Sequence, residues 1–130
     1  MHKIINKPWG YEKIIVNDKE RDYCGKLLVC GDQIWSSGGK FHHHKIKDET
    51  FYVITGALEL HILDDNLKII KHQLEVGDSL RIKPLTWHRF RVALNTIICE
   101  FIEFSTFDSP DDSYRASLDI ISSQGCLYIL

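Results

Sequence analysis

The chain has 130 residues, 44% hydrophobic and 26% charged, with 16 basic against 18 acidic side chains and a formal charge of −2. That length carries one domain with an apolar core, and hardly two. The near-neutral balance excludes a broad cationic field, so neither nucleic acid nor an anionic membrane is expected as the main partner. No apolar run approaches the roughly 20 residues that a membrane helix needs.

The opening run, Met1-His2-Lys3-Ile4-Ile5-Asn6-Lys7-Pro8, lacks the apolar stretch and small-residue cleavage site of a signal peptide, so a cytoplasmic location is expected. Pro8-Trp9-Gly10-Tyr11 then reads as a turn with aromatic packing. Glu12 to Val16, Lys26 to Cys30 and Phe51 to Thr55 are β-branched or aromatic runs bounded by Gly, Asn or Asp, which predicts strands. Leu58, Leu60 and Ile62 alternate with Glu59 and His61 as a half-buried strand. Asp64-Asp65-Asn66 supplies turn chemistry, and Lys68 to Lys71 completes a hairpin. Ser79 to Lys83, Phe90 with Val92, and Thr96 to Phe104 add further strands. Turn signals about every ten residues favour a sandwich or barrel of short antiparallel strands. Pro110 to Ile121 reads as the one helix, with Asp111, Asp112 and Ser113 suited to its first turn. The apolar tail Cys126-Leu127-Tyr128-Ile129-Leu130 is expected to pack on the barrel or on a partner. Cys24, Cys30, Cys99 and Cys126 show no CxxC spacing and read as reduced thiols. The expectation is one all-β domain over 1–130.

Seven histidines stand out, three of them consecutive at His42, His43 and His44. On a strand, alternation points His42 and His44 one way and His43 the other, toward solvent or a subunit contact. Two alternating histidines alone are an ordinary surface pair. Here Glu49 follows after a polar turn and can return on the next strand to face them, while Gly56 closes that strand. A later block, Gly77-Asp78-Ser79 to Thr86-Trp87-His88, can bring a third imidazole to the same inner face. Three imidazoles and one carboxylate suit a divalent first-row metal and leave positions open for substrate oxygens. His2, His61 and His72 have no supporting pattern and are expected on the surface. Strand alternation turns Arg89 and Arg91 away from His88.

The spacing Gly39-x-x-His42-x-His44-x-x-x-x-Glu49, closing at Gly56, resembles the first motif of the cupins (39–56). Gly77 through Trp87-His88 resembles the second (77–92), with 110–130 as a C-terminal extension. The second motif of the family usually carries proline at the position of Lys83 and glycine at that of Leu85, and often asparagine at that of Val92. The resemblance implies a jelly-roll β-barrel holding one divalent metal ion (Mn, Zn, Fe, Ni or Co) on His42, His44, Glu49 and His88. Lys7-Pro8-Trp9-Gly10-Tyr11-Glu12, Lys47 to Val53, Thr86-Trp87-His88-Arg89 and Glu103-Phe104-Ser105-Thr106 with Asp111 to Arg115 are similar to the phosphomannose isomerase-like cupins. That likeness implies a sugar or sugar phosphate as partner, a homodimer, and isomerase or epimerase chemistry.

Such chemistry needs a base to move a proton between adjacent carbons and a Lewis acid to stabilise the charge that develops. Glu49, as ligand and base together, and Glu103 are the candidate bases. Lys83, at the barrel mouth, is the candidate for a phosphate, and Tyr11, Tyr52 and Trp87 for the sugar. An iron-dependent dioxygenase and a non-catalytic sugar-binding cupin remain the alternatives, because the fold alone does not fix the chemistry.

Overall fold

The computed structural model describes residues 3–31, 35–106 and 112–124. Strands β1 (Lys3–Lys7), β2 (Gly10–Asp18) and β3 (Tyr23–Cys30) form successive antiparallel hairpins. A short 3₁₀ turn, Ser36–Gly39, leads into β4 (Phe41–His43), and β5 (Asp48–Thr55) follows. The expected hairpin is β6 (Ala57–Leu63) with β7 (Ile69–Glu75), in unbroken register across its length. Strands β8 (Ser79–Ile82), β9 (His88–Val92) and β10 (Thr96–Glu103) come next, then β11 (Tyr114–Ala116) and helix α1 (Leu118–Gln124).

The strands assemble into two antiparallel sheets, ordered β1-β2-β3-β10-β5-β8 and β11-β4-β9-β6-β7. These close face to face as a jelly-roll barrel. The inward positions follow the period-two rule of a strand. Leu28, Phe51, Val53 and Ile98 come from the first sheet; Leu58, Leu60, Phe90 and Val92 come from the second, and all are buried in one core. Phe90 meets Phe51 across the barrel with ring centroids 5.8 Å apart, and Trp9, from the turn before β2, lies 5.9 Å from Phe90. Each side chain so buried contributes on the order of 1.5–3 kcal/mol.

Two glycines are fixed by close approach. A Cβ at Gly10 would lie 2.0 Å from the Val29 carbonyl oxygen, and one at Gly56 (φ 80°) would lie 2.1 Å from Thr96 Oγ1. Gly10 lets the first hairpin cross β3, and Gly56 lets β5 turn into β6.

The C-terminal part differs from the expected helix over 110–121. Residues 107–111 lie outside the described residues, but Tyr114–Ala116 is a strand paired with His43, His42 and Phe41 of β4. The helix starts only at Leu118, where Ser117 Oγ accepts the Ile120 N–H as an N-cap. A partner edge outweighs the weak helical signal of Asp111 to Ser113. α1 seals a second apolar cluster of Phe41, Leu63, Trp87, Ala116 and Ile121. The tail 126–130, with Cys126, lies outside the described residues. Cys24, Cys30 and Cys99 are free thiols, and burial, with Glu12 nearby, pushes Cys30 up to about 12, which keeps it unreactive. Among the described residues, no helix is long and apolar enough to cross a membrane.

Candidate metal centre

His42 on β4 is the Cα partner of His88 on β9, so the two imidazoles share the inner face, with ring centroids 4.1 Å apart. His44, two residues on, returns to the same face, 5.4 Å from His42 and 5.8 Å from His88. One ligand nitrogen from each of the three lies within 4.8 Å of the others, which makes His42, His44 and His88 a group able to hold a metal ion. Glu49, on β5 of the facing sheet, brings Oε1 to 3.2 Å from His44 Nε2 and 3.4 Å from His88 Nε2.

The hydrogen bonds decide what that convergence means. His44 Nδ1 bonds the Asp112 carbonyl oxygen, and His88 Nδ1 lies 2.8 Å from the Thr86 carbonyl oxygen. A carbonyl only accepts, so both rings carry their proton on Nδ1 and present an Nε2 lone pair. Two imidazole lone pairs therefore point at a carboxylate oxygen with nothing between them to share. His42 Nδ1, Glu49 Oε1 and His88 Nε2 are buried without a hydrogen-bond partner. Buried acceptors facing one another are costly unless a cation lies among them, and the carbonyls that fix the tautomers are the outer support typical of histidine metal ligands. The donor set fits a divalent ion.

The protonation states agree. Burial drives the His42 pKa well below its ordinary value, and the neighbouring His88, His44 and Arg115 add to this against Glu49, so the ring is neutral. Burial alone would raise Glu49, but the hydrogen bond donated by Glu100 holds its carboxyl well below the usual carboxylate range. Glu100 moves the other way. Burial and the Glu49 charge push it well above its usual value despite the attraction of Lys26, so Glu100 is the proton-bearing member of the pair.

A cavity of about 520 Å³ opens beside this group, with His42, His44 and Glu49 in its wall. Glu12, Lys26 and Glu100 line it too, and all three are buried. Lys26 Nζ sits 2.9 Å from Glu12 and 3.7 Å from Glu100. Burial opposes its charge, but these two carboxyls hold its pKa above the usual lysine value. Lys7, Lys47 and Arg115 bring further cations to the same cavity, and Trp35 an aromatic face. A second hollow of about 350 Å³, among Glu59, Gln73 and Arg91, lies away from the imidazoles.

The remaining expected site residues lie elsewhere. Lys83 and Glu103 are exposed, Tyr52 and Tyr11 are 41% and 36% exposed, and Trp87 is packed in the second apolar cluster. None of the five lines the cavity. His43 does face away from His42, but it is buried, with its ring 4.2 Å from Trp87 and stacked 5.1 Å from Tyr114. The C-terminal segment covers the face that was expected to meet solvent or a subunit. His61 is likewise buried rather than on the surface: Trp35 lies 4.6 Å away, Glu59 accepts from Nε2 at 2.7 Å, and Arg89 donates to Nδ1 at 3.1 Å. His72 is half-buried, and His2 lies outside the described residues. Arg89 and Arg91 face away from His88 and stack on Trp35.

The Cupin domain family matches residues 35–104, more than half of the chain and the whole stretch from Trp35 through both histidine blocks. The chain belongs to the cupin family. No curated protein sequence matches it. Among solved structures, this cupin is similar to KdgF from Halomonas sp., with a TM-score of 0.68, 19% identity, and 82% of this chain and 90% of that chain covered. It is also similar to Bacillus subtilis oxalate decarboxylase at pH 4.6, with a TM-score of 0.72 and 14% identity, covering 94% of this chain but only 34% of that one. A further oxalate decarboxylase structure from B. subtilis, concerned with its Mn(II) centres, gives a TM-score of 0.71, 15% identity, and 85% and 29% coverage. At these identities the likeness speaks for the fold.

Proposed function

We propose that this cupin is a metal-dependent isomerase or epimerase acting on a sugar phosphate, of the phosphomannose isomerase-like type. The observation that carries the reading is one cavity lined by His42 and His44 of the metal-competent group, by the carboxyls of Glu49 and Glu100, and by the cations Lys7, Lys47 and Arg115. His42, His44 and His88, with Glu49, would hold the ion. A bound divalent cation supplies Lewis acidity to the carbonyl and hydroxyl oxygens of a substrate.

The chain's own groups handle the proton. Glu49, ionised, would take a proton from the carbon beside a carbonyl, and Glu100, whose pKa burial and the Glu49 charge raise, would deliver one to oxygen. Glu100 takes the place given to Glu103, which faces outward. Lys7, Lys47 and Arg115 supply, in place of Lys83, the charge that a phosphate needs. A homodimer in the cytoplasm completes the proposal. Support for the dimer comes from Tyr52, Ile54 and Phe101, each 39–41% exposed on the outer face of the six-stranded sheet.

The test is to load the protein with manganese or zinc and incubate it with aldose and ketose phosphates in D2O. Interconversion with deuterium appearing on carbon is expected. No turnover and no deuterium with any member of the panel overturns the isomerase reading, and oxygen consumption would move it to the dioxygenase class.

A further inference from the structure

Asp112 is 2% exposed and lies at the edge of the metal centre without joining it. Its carboxylate accepts three successive backbone N–H groups. Oδ1 takes Lys45 at 2.6 Å and Ile46 at 3.0 Å, and Oδ2 takes Lys47 at 2.9 Å. These residues form the turn that joins His44 to Asp48 and Glu49, so one side chain fixes the path between two of the candidate ligands. Its main-chain carbonyl accepts the His44 Nδ1–H, which sets the tautomer of that ring. His44 is held from the other side as well, because its own carbonyl accepts the Leu85 N–H at 2.6 Å.

We propose that Asp112 is the positioning residue of the metal centre. Its carboxylate gathers the Lys45–Lys47 amides into a fixed turn, and its carbonyl locks the His44 ring with Nε2 aimed at Glu49. Both contacts come from one residue anchored by β11, two positions further on, which pairs with β4 itself. Three amides converging on a buried anion give a cradle of fixed shape, and a carbonyl on the far nitrogen of a ligating histidine raises its basicity and holds its plane. The turn residues and His44 then hold their geometry before any ion arrives. The inference rests on the metal reading above, and goes beyond it by assigning a residue outside both histidine blocks.

Asp112→Ala and Asp112→Asn should be compared with the unaltered protein by cobalt titration against a competing chelator. The second readout is the tautomer of His44 in metal-free protein, from long-range proton–nitrogen NMR. The expected result is a 10- to 100-fold loss of cobalt affinity in Asp112→Ala, on the scale of lost outer supports (roughly that range). Asp112→Asn keeps one acceptor oxygen and should lose less, about threefold to tenfold. Both substitutions keep the main-chain carbonyl but loosen the turn that seats His44 against it, so His44 should shift from the Nδ1–H form toward a mixture in Asp112→Ala and less so in Asp112→Asn. If Asp112→Ala does not fold, Asp112→Asn decides by the same two readouts. Variants that are less stable yet bind cobalt as tightly as the unaltered protein, with His44 still in one tautomer, overturn the proposal. Unaltered protein that binds no cobalt overturns the metal reading itself, and the role of Asp112 with it.

Discussion

His61 shows how a single side chain sets a pH limit on the fold. Burial lowers its pKa, and the Arg89 charge adds to this, while the bond to Glu59 opposes it. A histidine with a lowered folded pKa leaves the unfolded chain holding more protons below about pH 6.5, so stability falls as pH drops through that value toward the folded pKa. His42 acts in the same direction. Urea midpoints should therefore fall between pH 7.5 and pH 5.5, and His61→Gln should fall less steeply. An equal decline in both proteins contradicts the assignment. At the same scale, two backbone positions carry opposite expectations. Leu85 occupies φ 67° and is 56% exposed, where the family usually has glycine. Leu85→Gly relieves roughly 1 kcal/mol of left-handed strain against a similar entropic cost, so stability should change by less than about 0.5 kcal/mol. Gly56→Ala forces a Cβ to within 2.1 Å of Thr96 Oγ1 at φ 80°, and should cost about 2 kcal/mol or more. Equal losses in a thermal melt would contradict this account of the two turns.

At the level of elements, strand periodicity carried most of what could be read. The hairpin of β6 and β7 and the inward Leu58 and Leu60 follow from alternation alone. The same rule, applied to β10, selects Glu100: it shares parity with the buried Ile98 and Ile102, whereas Glu103 shares parity with the exposed Phe101. Lys26 likewise shares parity with Leu28 and Cys30. A polar side chain on an apolar stripe is thus the signal in the sequence for both residues. What was not legible is the cover over His43 and Trp87, because it depends on β11 pairing with β4 and on α1 folding back, both set by tertiary contact. Ile121, on α1, is fully buried. Ile121→Ala should cost about 2–5 kcal/mol and shift the tryptophan emission to the red as Trp87 meets water. A cost near zero, with unchanged emission, would show that α1 does not seal that cluster.

For the molecule as a whole, turn spacing pointed to a sandwich or barrel, and the likeness to the two cupin motifs chose the jelly-roll barrel. The metal-competent group was visible in spacing, since His42, His44 and His88 sit in two compact blocks. The cavity lining was not, because it depends on pairing between strands far apart in the chain: Lys26 on β3 and Glu100 on β10 are cross-strand partners, Lys7 lies on β1 of the same sheet, and Arg115 joins them from β11 of the facing sheet. Closure of the two sheets leaves an apolar outer face on the six-stranded sheet. Phe101→Glu should therefore convert a dimer into a monomer by light scattering, whereas a wild-type monomer would remove the dimer from the account. Elemental analysis of the purified protein should find one divalent ion per chain, and His42→Ala with His44→Ala should abolish it while the circular dichroism spectrum stays that of the barrel. Unchanged metal content in that folded double variant would contradict the metal assignment.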